Sequence, residues 1–170
     1  MFFQKKIDLA YNFYTKIAEQ SRMPFFFNEL NIPNNFEGRL EILSLNLTLV
    51  LWSLKKKKDE STISQELIDI FFQDLDNSLR ELGVSDLSVG KKIKVLVENF
   101  YGRLVSYNDV FENFLKKKKM DEVRKKIKKN FKFKSNYNSN FDKYIHQNLN
   151  YFQNLSVDQL KKGNFYFRQL

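Results

Sequence analysis

Apolar residues recur at helical spacing along almost the whole chain, and this pattern constrains the fold more than any other feature. Successive stretches place leucine, isoleucine, valine and phenylalanine three or four residues apart, which aligns them on one face of an α-helix. Alternation of apolar and polar residues, typical of a half-buried strand, is confined to the short segment 131–134. The sequence therefore predicts an all-α protein, a single compact domain of about seven or eight helices.

Residues that favour helix ends divide this pattern into elements. We expect a first helix up to about Ser21 and a short second helix after Pro24. Asn34 or Asn35 is suited to cap the third helix, and Gly83 is suited to end the fourth in the left-handed conformation.

The second half of the chain is predicted with less regular boundaries. A helix is expected over 89–107, and a second apolar group follows Asn108 before a charged segment that extends to Asn130. Two last helical pieces, 141–155 and 156–162, precede Gly163. We expect residues 116–170 to belong to the same domain as the rest.

Composition excludes several kinds of chemistry. The 170 residues are 42% hydrophobic, enough for a core, but they include no cysteine and one histidine. A disulfide framework, a thiolate zinc site and a metal site with two imidazoles are therefore ruled out. His146 suits a solvated or capping role, and no spacing of carboxylates or hydroxyls suggests a catalytic group. We expect no enzymatic activity, catalytic residue, metal site, cofactor or small-molecule substrate.

One apolar segment resembles a membrane anchor, because residues 42–54 are followed by the lysines of 55–58. The segment has 13 residues and contains Ser44, Asn46, Thr48 and Ser53, whereas a spanning helix needs about 20 apolar residues. The sequence therefore predicts a buried central helix whose end is flanked by cationic side chains.

The net charge of +9 lies almost entirely in the last third of the chain. Residues 1–110 carry 14 basic and 15 acidic side chains, whereas residues 111–170 carry 15 basic and 5 acidic ones. Such asymmetry is expected of a surface that meets an anionic partner.

The basic residues are densest over 116–134, and aromatic residues of 131–141 interleave with or follow them. This combination suits RNA binding or contact with anionic lipid. It also suits a solvated lysine-rich helix followed by a loop that docks its aromatic rings on the core. The candidate anion-binding residues are Lys116, Lys117, Lys118, Lys119, Arg124, Lys125, Lys128 and Lys129.

Two strings in the middle of the chain are specific enough to suggest a family. Residues 71–94 read FFQDLDNSLRELGVSDLSVGKKIK and residues 98–107 read ENFYGRLVSY. These strings, together with 22–30, Ile32-Pro33 and Gly38-Arg39, resemble the ubiquinol–cytochrome c chaperone family. The resemblance spans about residues 8–115, and the short N-terminus without a transit segment is similar to a bacterial-type member.

The resemblance implies a non-catalytic chaperone that binds cytochrome b during assembly of the cytochrome bc1 complex. Family members work with a partner assembly factor and contact the ribosome near its exit tunnel. A bacterial member is expected in the cytoplasm, peripheral to the inner membrane and in possible contact with anionic lipid, and a mature organellar form in the mitochondrial matrix. The alternative is a basic helical module that binds RNA, the ribosome or an anionic membrane.

The resemblance also places a client or partner surface near the two strings. Amphipathic tyrosine and forked guanidinium groups are common interface anchors. The candidate residues are Asp76, Arg80 and Glu81 on one predicted helix and Lys91, Lys94, Tyr101 and Arg103 on the next.

Overall fold

Eight helices occur in the computed structural model, which describes residues 2–57 and 61–170 and their side chains except 2–7, 61 and 161. No strand occurs among the described residues, which confirms the all-α prediction. The helices are α1 (Phe2–Ser21), α2 (Phe25–Asn28), α3 (Phe36–Lys56), α4 (Ser61–Glu81), α5 (Asp86–Lys117), α6 (Asp121–Asn130), α7 (Asn140–Asn154) and α8 (Val157–Lys161).

Helix α3 lies at the centre and packs against α1, α4, α5 and α7. It begins where the Asn35 side chain accepts a hydrogen bond from the Gly38 backbone amide at 2.9 Å, as expected for an N-cap. Within 42–54 every residue except Leu43 is buried, which confirms the predicted central helix. No helix in the described part of the chain is long and apolar enough to cross a bilayer.

The polar residues of α3 are buried with partners. The Tyr144 hydroxyl donates to Asn46 Oδ1 at 2.8 Å, and Asn46 Nδ2 donates to Ser21 Oγ at 3.0 Å. These bonds join α1, α3 and α7, and they satisfy groups that would otherwise destabilise the core. They explain why polar residues interrupt an otherwise apolar segment.

Helices α3, α5 and α7 run parallel to one another. Near the start of α3, Glu41 pairs with Arg103 of α5, and near its end Trp52 Nε1 donates to Glu112 at 2.8 Å. The Ser53 hydroxyl donates to the Phe152 carbonyl of α7 at 2.9 Å, about two helical turns beyond the Asn46 contact with Tyr144. All three helices therefore end on the same side of the molecule.

Helix α5 is longer than predicted, because it continues through Asn108 to Lys117 without a break. Its buried side continues through Tyr107, Phe111 and Phe114, so packing against α3 sustains the helix past the polar residue. The boundary expected near 107 was wrong.

The last third of the chain returns to the body. The Lys134 amide donates to the Asn31 carbonyl at 2.7 Å, and the Lys16 ammonium donates to the Gly163 carbonyl at 2.7 Å. Gly83 has φ +83°, which confirms the predicted left-handed helix end. Gly163, predicted as a helix stop, follows α8 and has φ +66°. The side chains of Phe165 and Phe167 are buried.

Candidate binding surface

Helices α4 and α5 form a hairpin that carries every residue of the predicted client surface. The Arg80 guanidinium closes this hairpin, because it donates to Asp76 at 2.6 Å and pairs with Asp86 at the start of α5. Asp76 and Asp86 raise the pKa of Arg80 through these hydrogen bonds. The sequence places Asp76 and Arg80 correctly on one face, and the structure shows that their charges satisfy each other.

Arg103 is also engaged inside the protein. Its Nε donates to Glu41 Oε2 at 2.7 Å, its second nitrogen pairs with Glu41 Oε1, and it donates to the Asn99 carbonyl at 3.2 Å. Burial raises the pKa of Glu41, and Arg103 opposes this shift. The pair therefore joins α3 to α5, and Arg103 is not free to anchor a partner in this conformation.

The other four predicted residues are presented to solvent. Glu81, Lys91, Lys94 and Tyr101 are exposed, and none of the three charged ones has an ion pair among the described residues. Glu81 lines a groove of about 500 Å³ between the ends of α1 and α4 and the start of α3.

Exposed apolar side chains extend this surface and were missed in the sequence. Leu87 is 98% exposed, Val105 62% and Val95 50%, and Tyr101 is 41% exposed although its ring packs on Phe72. We call this surface the outer face of α5. It comprises Leu87, Lys91, Lys94, Val95, Glu98, Tyr101 and Val105.

The residues of the outer face recur at a helical spacing that is visible in the sequence. Leu87, Lys91 and Lys94 are followed by Glu98, Tyr101 and Val105 at alternating intervals of four and three residues, which aligns them along one side of a helix. The buried stripe of α5, including Phe100 and Tyr107, lies on the other side. The apolar members of the outer face were not predicted, because the apolar pattern used to predict α5 is the one that faces the core.

Two glycines of α5 border the outer face. A Cβ built on Gly90 or on Gly102 meets no atom within 4 Å, so neither glycine is required by packing inside the protein. Glycine within a helix costs about 0.5–1 kcal/mol relative to alanine. Their positions keep the helix backbone accessible to a closely packed partner.

The candidate anion-binding segment is partly used to hold the tail on the body. Arg124 Nε donates to Asp142 at 2.8 Å and its Nη1 donates to Asp121 at 2.9 Å, which ties α6 to α7. Phe131 and Phe141 are buried and Tyr137 is partly buried. The aromatic rings thus pack on the core, as the third interpretation of this segment predicted, and they are not displayed for stacking.

The lysines of this segment remain at the surface. Lys116, Lys117, Lys118 and Lys119 are exposed around the end of α5, and Lys125, Lys128 and Lys129 are exposed along α6. Lys128 lies 4.9 Å from the centroid of the Tyr137 ring, and Lys118 lies 5.7 Å from that of Phe114. The rest of the described structure leaves this charge largely uncompensated.

No group of three or more potential metal ligands occurs in the described residues. His146 is exposed, contacts Asn150, and lies edge-on to Phe114 at 5.3 Å. A hydrogen bond within its own helix and a ring contact account for this side chain.

The described residues form an all-α protein with apolar side chains exposed along one face of α5. The sequence matches the family described as ubiquinol-cytochrome C chaperone over residues 28–167, so the chain belongs to that family. The match includes most of the basic tail, where the resemblance in the sequence was weakest.

A solved structure agrees with this membership. The crystal structure of the Cbp3 homolog from Brucella abortus has a TM-score of 0.84 and 25% sequence identity, and the similarity covers 98% of this chain and 92% of that one. No curated protein matches the sequence. Family and structural likeness together support a role in assembly of the cytochrome bc1 complex.

Proposed function

We propose that this protein is a non-catalytic chaperone that binds cytochrome b and assists biogenesis of ubiquinol–cytochrome c reductase, complex III. The observation that carries the proposal is the outer face of α5, where apolar side chains, lysines and a tyrosine are exposed side by side. Contiguous exposed apolar surface commonly marks a binding site.

The chemistry of the outer face suits an apolar helix of the client. Burying one leucine or valine side chain contributes about 1.5–3 kcal/mol, so Leu87, Val95 and Val105 together supply substantial affinity. Lys91 and Lys94 are placed to bind acidic groups or helix-end carbonyls of the client. Gly90 and Gly102 allow the two helix backbones to approach closely, as small residues do between membrane helices.

The proposed mechanism is shielding. Segments of cytochrome b that will lie in lipid are insoluble before insertion, and a bound chaperone covers their apolar surface. Release then requires only that the client finds a better apolar environment in the bilayer or in the complex. No covalent step, cofactor or small-molecule substrate enters this cycle.

The same proposal includes the location and further partners. The protein works at the cytoplasmic face of a bacterial inner membrane as a peripheral protein, or in the mitochondrial matrix in an organellar form. A partner assembly factor and the ribosome near its exit tunnel are its expected neighbours, since the client is captured during synthesis. The exposed lysines within residues 116–129 support contact with an anionic surface.

Complementation of a deletion strain tests the proposal. Replacing Leu87, Val95 and Val105 with serine should leave the fold intact, because these side chains are exposed, and should abolish accumulation of cytochrome b. The control replaces Tyr11 and Tyr166, which are exposed elsewhere, and should restore assembly fully. Normal assembly of the cytochrome bc1 complex without the protein, or full rescue by the serine variant, would contradict the proposal.

A further inference from the structure

The ends of α3 and α5 bring two separate lysine runs together. Trp52 of α3 bonds to Glu112 of α5 at 2.8 Å, and one turn later Lys56 lies 3.4 Å from the same carboxylate. The parallel register therefore sets residues 55–57 beside residues 116–119, although 60 positions separate them in the sequence. We call this combined surface the lysine end, and its described members are Lys55, Lys56, Lys57, Lys116, Lys117, Lys118 and Lys119.

Opposing charge at the lysine end is sparse. Glu112 pairs with Lys56, and Glu122 lies 3.9 Å from Lys117. Asp121 is engaged by Arg124. Lys55, Lys116 and Lys119 have no ion pair or side-chain hydrogen bond among the described residues. Burial, and next the neighbouring Lys56, lower the pKa of Lys57, so like charges already repel one another here.

Helix dipoles account for part of this arrangement only. A cation in the last turn of a helix contributes about 0.3–1 kcal/mol, and one or two lysines at each end would suffice. Seven lysines in the described part of two adjacent helix ends add mutual repulsion instead. Their concentration favours contact with an anionic partner.

We propose that the lysine end docks on an anionic lipid bilayer and that it, rather than α6, forms the membrane contact. The inference deepens the peripheral location proposed above and rests on it. Each lysine near an anionic membrane contributes about 1 kcal/mol, so a cluster gives reversible binding without an inserted anchor.

The composition of the lysine end favours lipid over RNA. Proteins that bind single-stranded RNA stack bases on exposed aromatic rings and arginine planes. Trp52 and Phe114, the rings beneath these lysines, are almost fully buried, and the nearest arginine of the basic segment, Arg124, is bound to Asp142. The lysine end therefore presents flexible ammonium groups without exposed rings, and these suit contact with the many headgroups of a bilayer.

The lysines of α6 lie elsewhere, although they belong to the same basic segment. Asn113 bonds to Glu122 at 2.9 Å, and Asn130 lines the same cavity as Asn99 and Arg103 of α5, so α6 runs back along α5. At 1.5 Å per residue, Lys129 is displaced from the end of α5 by about 14 Å. That distance exceeds the Debye length of about 8 Å in physiological salt.

Vesicle flotation with matched charge variants tests the inference. The full chain should bind vesicles of phosphatidylcholine mixed with phosphatidylglycerol and should not bind phosphatidylcholine alone. Replacing Lys55, Lys116 and Lys119 with glutamine should weaken binding on the order of 100-fold, since three lysines are lost. The control variant removes the same charge at Lys92, Lys129 and Lys143, which also lack side-chain partners in the described structure, and should weaken binding less than about tenfold.

Equal losses in the two variants would overturn the inference, because the net charge alone would then determine binding. So would binding of the full chain to a single-stranded RNA that requires the lysine end, in the absence of vesicle binding. Co-purification of cytochrome b with both variants separates this test from the client proposal, since loss of vesicle binding with retained client would leave that proposal standing.

Discussion

Arg103 shows how one side chain can belong to a family signature and still act within the fold. It reaches Glu41 across α3 with two of its nitrogens, and both side chains are largely shielded from solvent. A guanidinium in this geometry matches a carboxylate in a way that a lysine cannot. Arg103 lies in the string that resembles the family, and in this structure it joins α3 to α5.

Replacing Arg103 with alanine should lower the free energy of unfolding by about 2 kcal/mol at pH 7, because Glu41 is left partly buried without its partner. The pKa of Glu41, already raised by burial, should rise further. The destabilisation should shrink as the pH falls and Glu41 is protonated, since the neutral acid needs no cation.

Urea titrations at neutral and acidic pH measure both effects. Arg103→Lys serves as the control and should fall between the wild type and Arg103→Ala. An unchanged unfolding free energy in Arg103→Ala would show that the side chain acts outside the fold, as a partner anchor.

The buried polar residues of the core make a second prediction at this scale. Tyr144→Phe should lower the free energy of unfolding by about 1–3 kcal/mol, because Asn46 loses its donor inside the core. Tyr11→Phe, at an exposed tyrosine, is the matched control and should change stability little. Thermal unfolding of the two variants distinguishes them, and equal melting temperatures would contradict the role given to the Tyr144 hydroxyl.

Residue-level prediction from sequence succeeded where the signal is local. The sequence placed a cap at Asn34 or Asn35 and helix ends at Gly83 and Gly163, because a cap or a helix stop depends on neighbouring residues only. The structure shows Asn35 as the cap. The Arg103 pair with Glu41 could not be foreseen, since the two residues are 62 positions apart. A spacing pattern carries no information about which helices will be neighbours.

At the scale of elements, α5 has one side that packs in the core and one side that is exposed. Its buried side holds the bundle, and its outer face exposes apolar groups from Leu87 to Val105. The predicted helix was too short because Asn108 resembles a boundary, whereas packing against α3 sustains the helix to Lys117. The predicted surface residues Lys91, Lys94 and Tyr101 do lie on the outer face.

The glycines of α5 allow stability and binding to be separated. Gly90→Ala and Gly102→Ala should each raise the free energy of unfolding by about 0.5–1 kcal/mol, because nothing opposes the added methyl group. The same changes should weaken client binding if a helix of the client approaches the backbone there.

Gly83→Ala is the contrasting variant, since φ is +83° at this residue, and it should destabilise the protein by about 1 kcal/mol. Urea unfolding and co-purification of cytochrome b measure the two properties. Stabilised glycine variants that retain full client binding would exclude close helix packing at the outer face.

At the scale of the whole molecule, the fold determines which surface carries the positive charge of the chain. In the sequence the net charge lies in residues 111–170 and the basic residues are densest over 116–134. The fold joins the first lysines of that dense segment to residues 55–57, whereas α6 turns the later ones back along α5. The aromatic rings of the same segment turn inward. Because this regrouping depends on the parallel order of α3 and α5, composition could indicate an anionic partner but not the surface that meets it.

The outer face lies on α5 at a distance from the lysine end, which the ends of α3 and α5 form together. From Lys116 to Val105, the nearest member of the outer face, the rise along α5 is about 16 Å, so a protein docked by the lysine end holds its client surface away from the headgroups. This arrangement would let the chaperone receive a segment before it enters the bilayer.

Site-specific photocrosslinking during synthesis of cytochrome b tests the central claim most directly. A photoreactive residue at Val105 should form an adduct with cytochrome b, and the same residue at Tyr166, which is exposed outside α5, should not. An adduct at Tyr166 but none at Val105, in cells that still assemble the cytochrome bc1 complex, would contradict the account.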